Sequence, residues 1–264
     1  MIPYYEVPDL PVLGARFHPF GFLVAVGVLF SHYVLSRRAK SLGLGPASLV
    51  DFFVITVFAG GFLAGHMLDT VFYHPEALRQ DWRELFMIHH GLSSFGGIVG
   101  AVLAGLAFLR VKRLDPWVWA DLCTYAFPFG WLFGRLGCAV VHDHPGRLSD
   151  SPLAVRFPGG ARFDLGLLEL AFVPLLIGLV VWVSRRTQRP GMISGALAIA
   201  YAVVRFPLDF LRATDLGPES DPRYAGLTPA QYACLGSLAL GAWILHRARR
   251  HPPYEVPCAA PSPG

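Results

Sequence analysis

Residues 127–146, with the sequence FPFGWLFGRLGCAVVHDHPG, place one arginine, Arg135, inside an otherwise apolar run. Three glycines around it leave room for another backbone to approach closely. A charge within a bilayer costs several kcal/mol unless it faces a partner or a polar cavity, so such a residue marks a functional site by default. The pattern favours a site for an anionic group such as a lipid headgroup. The alternative is a structural ion pair between helices.

Three titratable residues, His142, Asp143 and His144, follow where the apolar run ends. Arg135 and His142 are seven residues apart, two helical turns or about 10.5 Å if the helix continues. An imidazole titrates near neutral pH, and a neighbouring carboxylate raises its basicity. The segment therefore predicts a general base close to the arginine. The alternative is a hydrated loop that turns at the following Pro-Gly pair.

A second group of charged residues lies further along the chain. Arg205 and Asp209 are four residues apart and can pair on one face of a helix, and Arg212 follows on the same face. Glu169 lies early in another apolar segment. With Arg135 these residues predict a polar cavity that opens outward or sideways into the outer leaflet. The equal alternatives are a self-neutralising Arg205–Asp209 pair and a hydrogen bond between helices for Glu169.

Residues 89–100, HHGLSSFGGIVG, form a Gly- and Ser-rich entry into an apolar segment. Backbone N–H groups at such a helix N-terminus attract anions, so Gly96 and Gly97 are candidates for phosphate binding. The alternative is a stripe of small residues that packs against another helix. Both interpretations can hold together.

The motifs of several other function classes are missing from the sequence. The spacing His142-x-His144 matches no strong zinc signature, and an HExxH sequence is absent, so we expect neither a metal nor another cofactor. The chain also lacks a GxSxG elbow, a P-loop and a dinucleotide fingerprint. Its four cysteines show no CxxC spacing.

The elements that position these residues are membrane-spanning helices. Hydrophobic residues make up 54% of the 264 residues and charged residues only 15%, against about 25% in a soluble chain. The mean hydropathy is +0.48. Seven apolar segments approach the roughly 20 residues that a bilayer requires. We predict spans at 17–36, 49–73, 92–109, 117–141, 165–184, 192–211 and 228–246.

The basic residues orient the predicted bundle. Of the 22 Lys and Arg residues, 12 follow the first, third, fifth and seventh spans. The positive-inside rule therefore places the N-terminus outside and the C-terminus in the cytoplasm. The net charge of +4 is largely this topology signal, so we expect no nucleic-acid partner. We predict an all-α fold with one transmembrane domain over residues 1–250 and a disordered cytoplasmic tail over 251–264.

Several short motifs in order resemble those of the prolipoprotein diacylglyceryl transferase family. Residues 134–137, GRLG, are similar to the start of its GRxGN signature, and Gly146-Arg147 follow at the family spacing. The RPG at 189–191, the block from Arg205 to Arg212, and Gly226-Leu227-Thr228 with Gln231 resemble three further family motifs. The resemblance extends from about residue 18 to residue 231.

The resemblance implies an enzyme of the bacterial inner membrane with its active site toward the outer leaflet. Such an enzyme moves a diacylglyceryl group from phosphatidylglycerol to the lipobox cysteine of an exported prolipoprotein and releases glycerol phosphate. It also implies that Gly146 and Arg147 belong to the lipid-phosphate site. The chain departs from the family pattern at Cys138, where the signature has asparagine, and at Phe95, where the family has histidine. Asp143 lies where the family often has glutamate.

The leading hypothesis is therefore diacylglyceryl transfer from an anionic phospholipid to a thiol. Arg135 and Arg205 would hold the phosphate, because guanidinium groups suit this bidentate task. The base that deprotonates the thiol would come from the His142-Asp143-His144 segment. The other residues predicted to bind the phosphate are Arg212, Gly96, Gly97, Gly146 and Arg147. Two acidic residues, Glu169 and Asp209, are predicted to support the site.

Three alternatives remain at this point. The first is a non-catalytic lipid-binding membrane protein that kept the fold and lost the chemistry. The departures at Phe95 and Cys138 favour it, as does Phe163, which begins a stretch where the family has an HPSQLYE-like sequence. The second is a phospholipid-dependent transferase with another acceptor. The third is a transporter, because discontinuous spans and buried charges also occur in that class.

Overall fold

The computed structural model describes residues 1–5, 7–8, 10–12, 15–86, 94–217 and 223–254. Its contacts divide the chain into two compact units. The first contains Met1–Leu35 and Ala120–Glu255, and the second contains Ser36–Trp119. The predicted tail from residue 255 onward lies outside the described residues.

The described chain is mostly helical. The α-helices are α1 Pro19–Ser41, α2 Pro46–Val54, α3 Ala64–Tyr73, α4 Pro75–Gln80, α5 Ser94–Val111, α6 Pro116–Val141, α7 Leu165–Arg186, α8 Met192–Leu208 and α9 Pro229–Arg250. A π-helix, Ile55–Leu63, connects α2 to α3 without a break, and 3₁₀ turns occupy Trp82–Phe86 and Asp209–Leu211.

Helices occupy all seven segments that the sequence predicted as spans. Within the described residues, four helices are long and apolar enough to cross a membrane by length and composition: Pro19–Ser41, Ser48–Val71, Leu165–Arg186 and Met192–Leu211. Helix α5 is apolar but shorter. The prediction of a polytopic, mostly helical membrane protein agrees with these helices.

In the first unit, α1 packs closely on α6 because both helices carry small residues at the contact. A Cβ added at Gly27 would lie 2.7 Å from the carbonyl oxygen of Gly130, so the two backbones touch. The Ser31 hydroxyl donates a hydrogen bond of 3.1 Å to the Ala126 carbonyl one turn away. Gly137 likewise leaves room for the Phe20 ring. This close packing of Gly130 and Gly137 on α1 fixes how α6 is rotated about its own axis, and with it the position of Arg135.

Helices α7, α8 and α9 complete the first unit. Apolar residues of α7 and α8 form a buried cluster that includes Val180, Val183 and Ile193. The start of α8 is fixed by Asp121 of α6, whose carboxylate accepts hydrogen bonds of 2.8 Å from the backbone N–H groups of Gly191 and Ser194. The sequence RPG at 189–191 therefore has a structural role, since Gly191 turns the chain with a φ of 97°.

Two small sheets, which the sequence analysis did not predict, accompany the helices. A hairpin of β1 Leu10–Val12 and β2 Ala15–Phe17 precedes α1. Between α6 and α7, β3 Pro145–Leu148, β4 Val155–Phe157 and β5 Gly160–Asp164 form an antiparallel sheet in the order β3-β5-β4. Strand β5 leads directly into α7, so this sheet sets where α7 begins.

The second unit is built around a contact between the π-helix and α5. A Cβ at Gly97 would lie 3.0 Å from the carbonyl oxygen of Gly61, and one at Gly96 would lie 2.8 Å from Cβ of Leu68. The alternative interpretation of this glycine stripe, close packing between helices, therefore describes these two positions. Their predicted role in phosphate binding stays a prediction.

Candidate active site

Three helices of the first unit bring two arginines and a glutamate together. Arg135 comes from the C-terminal part of α6, Glu169 from the first turns of α7 and Arg205 from the last turn of α8. These residues are 8%, 4% and 6% exposed. Because each lies on a different helix, the cluster depends on the packing of the whole unit.

Glu169 is the shared partner of both arginines. Its Oε2 lies 2.9 Å from an Nη of Arg135, and its Oε1 lies 3.1 Å from Nη1 of Arg205. One carboxylate thus compensates part of two buried positive charges. This arrangement matters because a charge in a low-dielectric environment is tolerated only with a partner.

In the part of the chain that the structure describes, the ion pairs of this cluster leave several buried donor and acceptor atoms without a hydrogen bond. Among the described residues, the buried atoms Arg135 Nε, Arg205 Nη1 and both carboxylate oxygens of Glu169 lack a partner with hydrogen-bond geometry. Buried polar atoms normally have such partners, and an exception calls for an explanation such as a ligand. Arg135 Nε therefore retains a donor for an added acceptor, and Arg205 Nη1, which lies 3.1 Å from Oε1 of Glu169 without hydrogen-bond geometry, retains another.

A second carboxylate extends the row of charges beyond α8. Asp209, which is fully buried, lies 2.7 Å from Nη2 of Arg205 and 2.8 Å from Nε of Arg212. The Thr228 hydroxyl donates a hydrogen bond to its other oxygen. We call Arg135, Glu169, Arg205, Asp209 and Arg212 the arginine row. It contains three guanidinium groups and two carboxylates, so it has an excess of one positive charge. The predicted Arg205–Asp209 pair forms, and it continues into a larger network.

An apolar cavity lies next to the arginine row. The Arg135 guanidinium lies over the Trp131 ring, 4.5 Å from its centroid. Trp131, Leu176 and Tyr201 line both a small cleft that reaches Glu169 and Arg205 and a larger cavity of about 350 Å³ between α6, α7 and α8. Charged donors for an anion therefore adjoin space for a hydrocarbon chain.

His142 is held away from this row by its own partners. It follows the end of α6 with a left-handed φ of 52°. Its Nδ1 lies 2.5 Å from Asp164, and its ring stacks on Tyr4 at a centroid distance of 4.6 Å. Asp164 also accepts a hydrogen bond from the Leu167 backbone N–H and so caps α7. This geometry gives His142 a structural task; its predicted catalytic role stays a prediction.

Asp143 and His144 lie back over the last turn of α6, beside Cys138. Asp143 Oδ1 is 3.1 Å from Nδ1 of His144. The hydrogen bond that the His144 ring donates to the Asp143 carboxylate raises the pKa of His144 against the lowering effect of burial. Burial raises the pKa of Asp143, but hydrogen bonding and the charge of His144 outweigh it and lower that pKa below its usual range. Cys138 Sγ lies 3.9 Å from Nη1 of Arg135, which connects this group to the arginine row.

The prolipoprotein diacylglyceryl transferase family model matches residues 10–247. Three curated relatives carry the name phosphatidylglycerol–prolipoprotein diacylglyceryl transferase. The protein of Chromohalobacter salexigens is 32% identical over 81% of this chain and 83% of its own length. That of Actinobacillus pleuropneumoniae is 30% identical over 87% and 90%, and that of Rhizobium leguminosarum is 28% identical over 88% and 88%.

The chain belongs to the prolipoprotein diacylglyceryl transferase family. The family resemblance in the sequence is therefore confirmed. Two of the motifs that carry it, GRLG around Arg135 and the block from Arg205 to Arg212, supply the arginine row described above.

The Gly146-Arg147 motif of the family connects the sheet between α6 and α7 to the end of α8. Gly146 of β3 pairs with Arg212 in an antiparallel bridge, and a Cβ there would lie 2.6 Å from the Leu211 carbonyl oxygen. Gly146 therefore lets the sheet approach the end of α8. Arg147 is exposed, with its guanidinium 6.0 Å from the Phe163 ring centroid. A role of either residue at the phosphate stays a prediction.

The motif around Thr228 forms the N-terminus of α9. Thr228 and Gln231 form a capping box, and the Gln231 amide also donates a hydrogen bond of 3.1 Å to the Phe206 carbonyl. The box fixes the hydroxyl of Thr228 against Asp209. Sequence reasoning noted the motif without this role, although the Thr-x-x-Gln spacing is a recognised helix-start signal that points to it.

Two further residues were missed. Asp164 binds His142 from 22 positions away, and the Trp131 ring supports Arg135. Trp131 could have been found, because it precedes Arg135 by one helical turn. Asp164 has no comparable signal, since the intervening sheet determines its place.

Proposed function

We propose that the chain is a phosphatidylglycerol–prolipoprotein diacylglyceryl transferase. It moves the diacylglyceryl group of an anionic phospholipid to the cysteine thiol of an exported lipobox-containing prolipoprotein. The names of the curated relatives support the reaction. The observation that carries the proposal is the pair of buried arginines on one carboxylate, with hydrogen-bond donors to spare.

Arg135 and Arg205 bind the phosphate of the donor lipid. The thiolate sulfur attacks the glyceryl CH₂ that bears the phosphate, a C–S bond forms and the C–O bond breaks. The bonding electrons leave with glycerol phosphate, which changes from a singly charged diester to a monoester with more negative charge. Guanidinium donors stabilise this added charge, so they act more strongly on the transition state than on the bound lipid.

Glu169 keeps the two arginines in place before the lipid arrives. Its carboxylate offsets part of their charge, and its ion pairs leave guanidinium N–H groups unused. The phosphate takes these donors, while the excess positive charge of the row favours an anionic headgroup over a zwitterionic one. The adjoining cavity of about 350 Å³ accepts part of an acyl chain.

The reaction takes place at the outer leaflet of the bacterial inner membrane. Seven spans with the N-terminus outside would place the His142-Asp143-His144 segment and the end of α8 on the side where exported acceptors arrive. The 12 basic residues after the odd-numbered spans support this orientation.

The test is the transfer of diacylglycerol to a lipobox peptide in proteoliposomes containing phosphatidylglycerol. We expect Arg135→Ala to lower the rate by about 10²–10³-fold, the loss typical of one oxyanion donor. Arg135→Lys should recover little, because an ammonium group lacks the planar fork of donors. Arg156→Ala, at an exposed arginine of β4, is the matched control. Wild-type transfer by Arg135→Ala would contradict the proposal.

A second candidate, a lipid-binding protein without catalysis, is favoured by one observation. The thiol of Cys138 lies beside Arg135 where the family signature has asparagine. This candidate predicts phosphatidylglycerol binding that depends on Arg135 without release of glycerol phosphate. Complementation of a strain depleted of its diacylglyceryl transferase separates the two, because rescue of growth excludes the non-catalytic candidate.

A further inference from the structure

Three potential metal ligands of different types meet at the end of α6. Cys138 lies in the last turn of the helix, and Asp143 and His144 follow two and three residues after its end. The left-handed φ of 52° at His142 turns the chain back, so that these two side chains return to Cys138. One ligand atom from each residue lies within 4.8 Å of the others.

We propose that Cys138, Asp143 and His144 bind a zinc ion that keeps one coordination position open. Thiolate, imidazole and carboxylate are the ligand types that zinc takes in proteins, and three protein ligands with a fourth open position are typical of catalytic zinc sites. Zn–S distances near 2.3 Å and Zn–N or Zn–O distances near 2.0–2.2 Å require the ligand atoms to be about 3.3–3.6 Å apart. The 3.1 Å between Asp143 and His144 is close to that range, and the ion would draw together ligand atoms that lie within 4.8 Å of one another.

The sequence predicted no metal because its histidines, His142 and His144 among them, match no strong zinc signature, and because nothing in the spacing joins Cys138 to them. In the fold, Asp164 engages Nδ1 of His142, and its place in the cluster is taken by Cys138 from the preceding turn. The ligand set is therefore Cys-x₄-Asp-His. The short helix-end turn brings it together.

The surroundings of the three ligands suit a divalent cation. A thiolate and a carboxylate together offset the charge of zinc. Arg135, 3.9 Å from Cys138 Sγ, has its own counter-charge in Glu169 at 2.9 Å. Cys138 is buried, whereas the side chains of Asp143 and His144 are 37% and 29% exposed. The accessible side of the cluster is therefore the side of Asp143 and His144.

A zinc ion here would act on the acceptor side of the reaction, an inference that rests on the proposed function. A thiol that binds zinc is deprotonated, and the thiolate is the nucleophile. The acceptor cysteine would bind the open position, release its proton to water and attack the glyceryl carbon next to the phosphate on Arg135. Bond formation to carbon and departure of glycerol phosphate balance the step without an oxidant or reductant.

The first test measures metal binding to the full-length protein in phosphatidylglycerol nanodiscs. After incubation with zinc and removal of loosely bound ions, we expect about one zinc per chain by mass spectrometry of the metal. Cobalt in its place should give the absorption bands of a tetrahedral thiolate complex. Cys138→Asn and His144→Ala should lose both signals, whereas Cys123→Ser, at the other cysteine of α6, should keep them.

Cys138→Asn introduces the residue of the family signature, so it is the variant most compatible with the fold. If it binds as much zinc as the unchanged chain, or if the unchanged chain binds none, the zinc proposal is wrong. Matching thermal unfolding midpoints of the two proteins exclude misfolding as the cause of a lost signal.

The second test separates this inference from the proposed function. Diacylglycerol transfer should fall when zinc is removed by a chelator and return when zinc is restored. Transfer that is unaffected by the chelator would overturn the zinc site and leave the proposed function standing. Stoichiometric zinc without transfer under any condition would overturn the proposed function and the role of zinc in it, while leaving the metal site.

Discussion

Two arginine–carboxylate contacts in the first unit differ in what they leave unused. Arg162 of β5 binds Asp215 through two parallel hydrogen bonds of 2.9 and 2.6 Å, and it donates a third, of 3.2 Å, to the Gly146 carbonyl. In contrast, Glu169 is shared between Arg135 and Arg205, and its oxygens lack hydrogen-bond geometry among the described residues. Both contacts join the same kinds of groups.

This difference in unused hydrogen-bond donors indicates which of the two contacts is a site for a ligand. Arg162 has its guanidinium donors directed at fixed acceptors, so it fastens β5 to the segment after α8 and offers little to a ligand. The arginines around Glu169 lose hydration on burial, and within the described part of the chain their hydrogen bonds are incomplete. An added phosphate would complete them, whereas nothing needs to be added at Arg162.

The largest loss of stability is expected from Glu169→Gln, which removes the carboxylate charge that Arg135 and Arg205 share. Arg135 then keeps a buried positive charge without its counter-charge, at a cost of about 3 kcal/mol in unfolding free energy. An anionic lipid phosphate should restore part of that loss, because a ligand stabilises the state that binds it. Thermal unfolding in detergent should therefore show a larger upward shift with phosphatidylglycerol in the variant than in the unchanged chain.

Glu76→Gln provides the control for this substitution, because Glu76 and Arg79 form an exposed pair 3.1 Å apart. We expect a small effect there, independent of lipid. Phosphatidylethanolamine, which has no net charge, should not replace phosphatidylglycerol in the Glu169→Gln protein. Equal shifts with both lipids would mean that the arginine row does not select an anionic headgroup.

The next largest effect concerns Thr228, which connects Asp209 to the start of α9. Thr228→Val removes the N-cap of α9 and one hydrogen-bond donor to Asp209, so the unfolding free energy should fall by about 2 kcal/mol. Thr228→Ser retains the hydroxyl and should lose less than about 0.5 kcal/mol. Chemical unfolding of the two variants measures the difference. Equal losses would show that the hydroxyl contributes no more to stability than the methyl group does, which contradicts the assigned role of its hydrogen bonds.

The helices were predictable because apolar length is a property of the local sequence. Every predicted span corresponds to a helix, including the segment 49–73, which carries His66 and Asp69. The π-helix in that segment was not foreseen, since it depends on packing of the Gly60 and Gly61 region against α5. The sheet between α6 and α7 was missed because its strands are only three to five residues long.

The site was predictable where its charges are costly within a membrane. Arg135, Glu169, Arg205 and Asp209 stood out from their apolar surroundings, and the structure brings all four together. The partners of the His142-Asp143-His144 segment were not predictable. Its first histidine turns to Asp164 and the other two residues turn to Cys138, a division set by the backbone after α6.

The smallest effect is expected at the completed contact, in Asp215→Asn. Asp215 is exposed, and water screens its charge, so the midpoint of thermal unfolding should fall by no more than about 2 °C at neutral pH. Diacylglycerol transfer should be unchanged, because the contact lies outside the proposed phosphate site.

The hydrogen bonds from Arg162 lower the pKa of Asp215, so the contact stabilises the fold above the ordinary aspartate range and loses that effect as the pH falls through the lowered pKa. The difference between the two proteins should therefore persist from neutral pH into the ordinary aspartate range and shrink only below it. A loss of transfer comparable to that of Arg135→Ala would show that a completed arginine–carboxylate contact can also belong to the active site, and the distinction drawn from unused donors would fail.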